Sequence, residues 1–390
     1  MAIKDTSVGI DFLTDFWTDR YLREYIPSGG SKVKFVSGKE GSGKTHTLQL
    51  LKEEAEALNY QTVFFSAKDI WLHDFKEVYL EVFRQVDLEK VLRGCAEHVI
   101  RAMGFSPEDL SEEEKFIDYL ARKGESDPFT KRALRDELRS LFLKNPWLDN
   151  NFALCMVFLT GDLLGYPTID VGTRELILSF LEADKSVKLS MLRAIGLSPT
   201  KINKTNARHM LRSLAETVHI AGYPGLYIAI DDLDVMLSKS GLVPLHYTKN
   251  RREDAYESIR GLIDDIDSMR YLWFVFGFER TMLDDEKIGI KSYQALWMRI
   301  QNEIVTERFN RFTDIADLDR LSASIYPPAA IVSLSELMAL SSEEEESELH
   351  LVTEEEAKDI LESARTGAYG VPYLVRLATF PGKEEQDGTL

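Results

Sequence analysis

The chain has 390 residues, a length that carries two to three domains around a large core and excludes a small disulfide-stapled scaffold. Its 44% hydrophobic and 29% charged residues are those of an ordinary globular protein, and a net charge of -18 opposes non-specific adhesion to nucleic acid or anionic membrane. Cys95 and Cys155 are the only cysteines, both among small or apolar neighbours, so they read as core thiols of a reducing compartment. The N-terminus, MAIKDTSVGIDF, lacks the pattern of a secretory leader. The longest apolar stretches, 153–160 and 271–278, fall far short of the roughly 20 residues of a membrane span, and a cytoplasmic protein is expected.

Lys32 to Ser37, KVKFVS, is a β-rich segment running into the glycine cluster Gly38-Lys39-Glu40-Gly41-Ser42-Gly43. Leu48, Leu51, Ala55 and Leu58 then recur at helical spacing, and a second strand, Thr62 to Phe65, follows a polar turn. Strand, loop, helix and strand make a βαβ unit of a parallel α/β sheet. From about Asp69 to Lys204 the pattern is helical without clear strands. Within it, 128–146 places Leu134, Leu138 and Leu141 on one face and Arg132, Arg135 and Arg139 on another. That pattern is a solvated amphipathic helix, and its arginine face is the local surface on offer to double-stranded DNA or an acidic partner.

Strand-like sequence resumes at Leu226 to Ile230 and at Tyr271 to Phe278. Pro327-Pro328 marks a break, and Glu343 to Glu356 holds eight glutamates and no Lys or Arg, an exposed acidic loop leading into a helix with Thr353 and Glu356 as its capping box. The expected organisation is an α/β core over 1–68 and 205–326, a helical insertion over 69–204, and a small all-α lid with the acidic loop over 327–390.

Gly38 to Thr45 is a complete GxxxxGK[ST], preceded by a strand and followed by a helix. Glycines let the backbone turn around phosphates and present its N–H groups to them, and the helix N-terminus adds its dipole. Gly38, Gly41, Ser42, Gly43, Lys44, Thr45 and His46 form the candidate ATP-binding set. Lys44 is expected at the β- and γ-phosphates and the Thr45 hydroxyl on Mg2+.

Such a loop needs an acid at the end of a neighbouring strand, and Leu226-Tyr227-Ile228-Ala229-Ile230-Asp231-Asp232 supplies two. Asp231 is expected to hold Mg2+ through water and Asp232 to polarise the attacking water. Asp232 stands where many ATPases carry glutamate, which fits either a base brought closer by the backbone or a slow, switch-like hydrolase. Asp234 reads as a helix N-cap or surface acid. The apolar strand from Tyr271 ends in Gly277-Phe278-Glu279-Arg280 without an Asn, Ser or Thr, so Glu279 is the candidate for sensing the γ-phosphate. Arg299, and the pair Arg308 and Arg311, lie where an oligomeric ATPase places an arginine that completes a neighbour's site; chain averages alone put two or three arginines in such a window, so each taken singly reads first as a surface residue. Gly370-Val371-Pro372-Tyr373-Leu374-Val375-Arg376 opens a helix, with Arg376 expected to face back over the nucleotide.

In this order the elements resemble AAA+ or STAND-like P-loop ATPases related to origin-recognition-type initiators. More narrowly, the chain resembles the ATP-binding protein family of BREX-type bacterial phage-defence operons. The resemblance is carried by YIPSGGSKVKFVSGKEGSGKTHTLQLLKEEA, SLAETVHIAGYPGLYIAIDDLDVML and NRREDAYESIRGLIDDIDSMRYLWFVFGF, and is weakest from Glu343 to Glu356. It implies an ATP- and Mg2+-dependent component working with partner proteins, and as a candidate homo-oligomer, in defence against foreign DNA. It makes Lys44 and Thr45 the Walker A residues, Asp231 and Asp232 the Walker B acids and Arg376 the sensor 2 arginine. Gly277-Phe278 departs from a polar sensor 1. The DDLD run also resembles the KAP-type P-loop ATPases, but those insert membrane helices and this sequence has none.

Two functional readings follow: an ATPase that drives assembly or remodelling on a protein or DNA partner, and a non-catalytic ATP-dependent switch or scaffold. A small-molecule kinase fits less well, because the block between Lys44 and Asp231 is very large for a kinase lid. HExxH, clustered His/Cys sets and GxSxG outside the glycine loop are absent, which removes zinc hydrolysis and serine-triad chemistry.

Overall fold

A computed structural model of the chain describes residues 8–111, 114–239, 243–300, 313–341 and 349–381. Five strands, β1 (Ser31–Gly38), β2 (Gln61–Ser66), β3 (Leu226–Asp231), β4 (Leu272–Glu279) and β5 (Ile315–Asp317), form one parallel sheet in the order β2-β3-β4-β1-β5. The fold is mixed α/β. Helices cover both faces, so the central strands read as nearly continuous apolar runs.

Alternation along each strand divides the apolar residues between two cores. Phe35, Ile228, Ile230, Phe274 and Phe276 pack on one face beneath the helices Phe75–Gln85, Ala207–Ile220 and Lys249–Asp265. Val36, Tyr227, Ala229, Trp273 and Val275 pack on the other against the helix Lys44–Ala57, the N-terminal segment and the C-terminal helices. Leu48, Leu51 and Ala55 of Lys44–Ala57 are buried there, as their spacing predicts.

Between β2 and β3 the described residues are helical and continue the first core. The helix Pro128–Leu138 buries Leu134 and Leu138 and leaves Arg132 and Arg135 exposed, with Arg132 beside Asp136 at 3.7 Å. Cys95 and Cys155 are buried free thiols. After β5 come the helices Leu318–Ile325, Pro328–Ser341, Glu354–Thr366 and Val371–Thr379, the third opened by the Thr353–Glu356 capping box. Residues 343–348 of the acidic stretch lie outside the described residues. Among the described residues no helix is long and apolar enough to cross a membrane.

Two expectations change. The strand bearing Asp231 is not the neighbour of the strand bearing the glycine loop: β4 lies between β3 and β1. The sheet also has a fifth strand, whose three residues Ile315-Ala316-Asp317 are too few to show a period.

Candidate functional site

The carboxyl ends of β1, β3 and β4 bring the glycine loop, the paired aspartates and Glu279 together. Gly41 and Gly43 hold φ of +63° and +92°, left-handed values that a side chain would strain, and the helix Lys44–Ala57 starts directly after them. The ring is closed by Lys44, whose Nζ donates to the Lys39 carbonyl at 2.9 Å. The Ser42 hydroxyl is buried without a hydrogen-bond partner.

Asp231 reaches across β4 to the loop. Thr45 Oγ1 donates to its Oδ2 at 2.5 Å, and its Oδ1 accepts the Asp232 N–H at 2.9 Å. The crossing is possible because β4 carries glycine at that level: a Cβ on Gly277 would stand 2.2 Å from Asp231 Oδ1. The residue that looked like a missing polar sensor is thus the gap through which the acid passes. Burial pushes the Asp231 carboxyl up and Asp232 adds to this, against the bond from Thr45.

Asp232 turns the other way. Its left-handed backbone (φ 59°) directs the carboxylate to β2, where Ser66 Oγ donates to Oδ2 at 2.7 Å and Lys68 Nζ to Oδ1 at 2.9 Å. Asp234 is not an N-cap; its Oδ1 accepts the Glu279 N–H at 2.9 Å and ties the segment after β3 to the tip of β4. Glu279 is half-buried, and burial, followed by Asp234, raises its carboxyl above the ordinary range, with Lys44 opposing. Ser66, Lys68 and Gly277 carried no chemical motif; a glycine inside an apolar strand was the one legible hint of a close approach.

The C-terminal helices close on the loop. Gly370 N–H donates to the Glu40 carbonyl at 2.8 Å and Tyr373 N–H to the Gly41 carbonyl at 3.2 Å, while Lys39 Nζ caps the Ala364 and Gly367 carbonyls, both at 2.7 Å. Pro372 and Tyr373 therefore abut the glycines, whereas Arg376 lies a turn further on, at an exposed position. Arg299 is committed elsewhere: its Nε and Nη2 meet Asp264 at 2.5 and 3.2 Å and its Nη1 donates to the Ala295 carbonyl. Arg308 and Arg311 lie outside the described residues.

Among the described residues, two cavities flank the loop. One of ≈ 190 Å³, mostly apolar, is lined by Val8, Ile10, Gly43, His46, Tyr326 and Pro372 among others. Burial lowers the His46 imidazole's pKa, with Glu53 opposing. The other, ≈ 520 Å³, opens along Lys39, Ser42, Arg280, Asp319 and Arg320. Left-handed glycines, an orphaned buried hydroxyl and a hydroxyl–carboxylate pair of hard oxygen donors fit a phosphate chain with a small divalent cation.

No curated protein and no solved structure matches the chain. A family model described as BREX system ATP-binding protein BrxC/D matches residues 13–372. The chain belongs to that family, the ATP-binding proteins of the BREX defence system.

Proposed function

We propose that the chain is a P-loop ATPase of AAA+-like architecture, working in the cytoplasm, whose Mg-ATP state drives assembly or remodelling on other defence proteins or on DNA. The observation that carries this is the Thr45–Asp231 contact across Gly277, beside a loop of left-handed glycines. Backbone N–H groups of the loop from Glu40 to Gly43 and the Lys44 ammonium hold the phosphates, the Lys39 N–H being taken by Asp319 Oδ2 at 2.8 Å. Thr45 and Asp231 hold Mg2+, which neutralises phosphate charge when bound. The ≈ 190 Å³ cavity takes the base, with His46 at its edge. Residues 1–68 and 205–326 form the core, 69–204 the insertion and 327–390 the lid, which rests on the loop through Gly370 and Tyr373. Arg376 and Arg299 remain candidates for contacts to phosphate within or between subunits, Arg299 only on leaving Asp264.

The test is ATP binding and single-turnover hydrolysis by the whole chain, with and without double-stranded DNA. Lys44→Ala should abolish turnover; turnover that survives it defeats the proposal. The second reading, a non-catalytic ATP switch, is favoured by one observation: both oxygens of Asp232 are already taken by Ser66 and Lys68. It expects ATP binding without turnover.

A further inference from the structure

We infer that Glu279, at the tip of β4, faces the γ-phosphate and takes the proton of the attacking water, the task expected of Asp232. The inference rests on the hydrolytic reading above.

Of the carboxylates around the loop, four are committed. Asp231 is bonded to Thr45 and to the Asp232 N–H, and Asp232 is held on the far side of β3 by Ser66 and Lys68. Asp234 accepts the Glu279 N–H at 2.9 Å and Asp319 the Lys39 N–H at 2.8 Å. Glu279 is not: the hydrogen bond described for its carboxylate is a long one, donated by Thr281 Oγ1 at 3.5 Å. Its backbone is nevertheless fixed. Glu279 lies in register with Gly38, its N–H is held by Asp234 at 2.9 Å, and the next N–H, of Arg280, donates to the Gly38 carbonyl at 3.0 Å. The side chain thus starts from the strand between Asp231 and the glycine loop, within the field of the Lys44 ammonium.

The groups around it come from each adjoining element: Asp234 after β3, Lys44 at the helix start, Glu40 in the loop and Thr281 beyond the strand. Burial and the two acids hold the proton on more firmly than in water, which makes the carboxylate a better acceptor near neutral pH. In the step, the water oxygen bonds to the γ-phosphorus and one water proton passes to the Glu279 carboxylate. The bond from that phosphorus to the β–γ bridging oxygen breaks, with its electron pair leaving on ADP.

Full-length wild type, Glu279→Gln and Asp232→Asn are titrated, with Mg2+, with ADP and with a non-hydrolysable ATP analogue, and then assayed for single-turnover hydrolysis. A carboxylate facing the γ-phosphate repels it, so Glu279→Gln should bind the analogue severalfold more tightly and ADP unchanged, the ADP titration also confirming a folded site. Its hydrolysis should fall on the order of 10²-fold or more, while Asp232→Asn stays near wild type. Wild-type turnover in Glu279→Gln, an unchanged analogue-to-ADP affinity ratio, or loss of turnover in Asp232→Asn overturns the assignment. If Lys44→Ala abolishes turnover and Glu279→Gln keeps it, Glu279 alone is refuted. If wild type binds ATP but never turns over, the hydrolytic reading and Glu279's part in it fall together.

Discussion

Gly277→Ala tests the geometry of the site with a single methyl group. The position has no left-handed backbone, so its cost is one of space. An added Cβ would lie 2.2 Å from Asp231 Oδ1 and 3.2 Å from Leu48 Cδ2, with Leu48 fully buried. Reaching ordinary contact means moving the carboxylate by about 1 Å, which breaks the Thr45 hydrogen bond. Loss of a hydrogen bond to a charged group, together with overpacking of a filled strand, places the cost at about 2–4 kcal/mol. Displacement of a candidate metal carboxylate should weaken Mg2+-dependent ATP binding by roughly 10–100-fold. Calorimetric titration of ATP with Mg2+ and with chelator separates the effects: the Mg2+-dependent gain should shrink while the affinity in chelator is little changed. In a double-mutant cycle, Gly277→Ala should cost far less in an Asp231→Ala background, because the clashing atom is gone. Wild-type Mg-ATP affinity in Gly277→Ala, or strict additivity in the cycle, would refute the reasoning.

Two further predictions concern neighbouring charges. Lys68→Ala releases Asp232 from an exposed ion pair, so it should lower stability by no more than about 1 kcal/mol and leave single-turnover hydrolysis nearly unchanged; a large acceleration would restore Asp232 as the base. Lys34 of β1 is buried, and burial lowers its pKa to about 8 despite Asp314 at 3.1 Å. With the native value below the unfolded one, the unfolded chain keeps its proton to higher pH, so stability should rise with pH from about 8 until the unfolded lysine titrates. Urea midpoints between pH 7.5 and 9.5 should show that rise and Lys34→Met should flatten it; an equal slope in both proteins would count against the buried charge.

Much of the fold was legible because its signals are local. β-branched and aromatic runs marked four strands, and Leu48, Leu51 and Ala55 at helical spacing marked the helix that buries them. The three-residue β5 was not legible, since its place is set by pairing with Phe35, Val36 and Ser37 rather than by its own pattern. Thr353 and Glu356 form the capping box their spacing predicts, because a cap needs only one turn of chain.

The site divides in the same way. GKEGSGKT and the acids after β3 are contiguous, so the residue types proposed for phosphate and metal contacts could be read directly, and the family match over 13–372 agrees with the ATP-binding part of that reading. Which acid faces the loop was decided by the sheet. Insertion of β4 between β1 and β3 left Gly277 as the opening for Asp231. The left-handed turn at Asp232 sent its carboxylate to Ser66 and Lys68, from a strand far away in sequence. Residue chemistry is a property of short segments and belongs to the sequence. The direction of each carboxylate depends on strand order and on side chains more than a hundred residues apart, and only the tertiary structure supplies those.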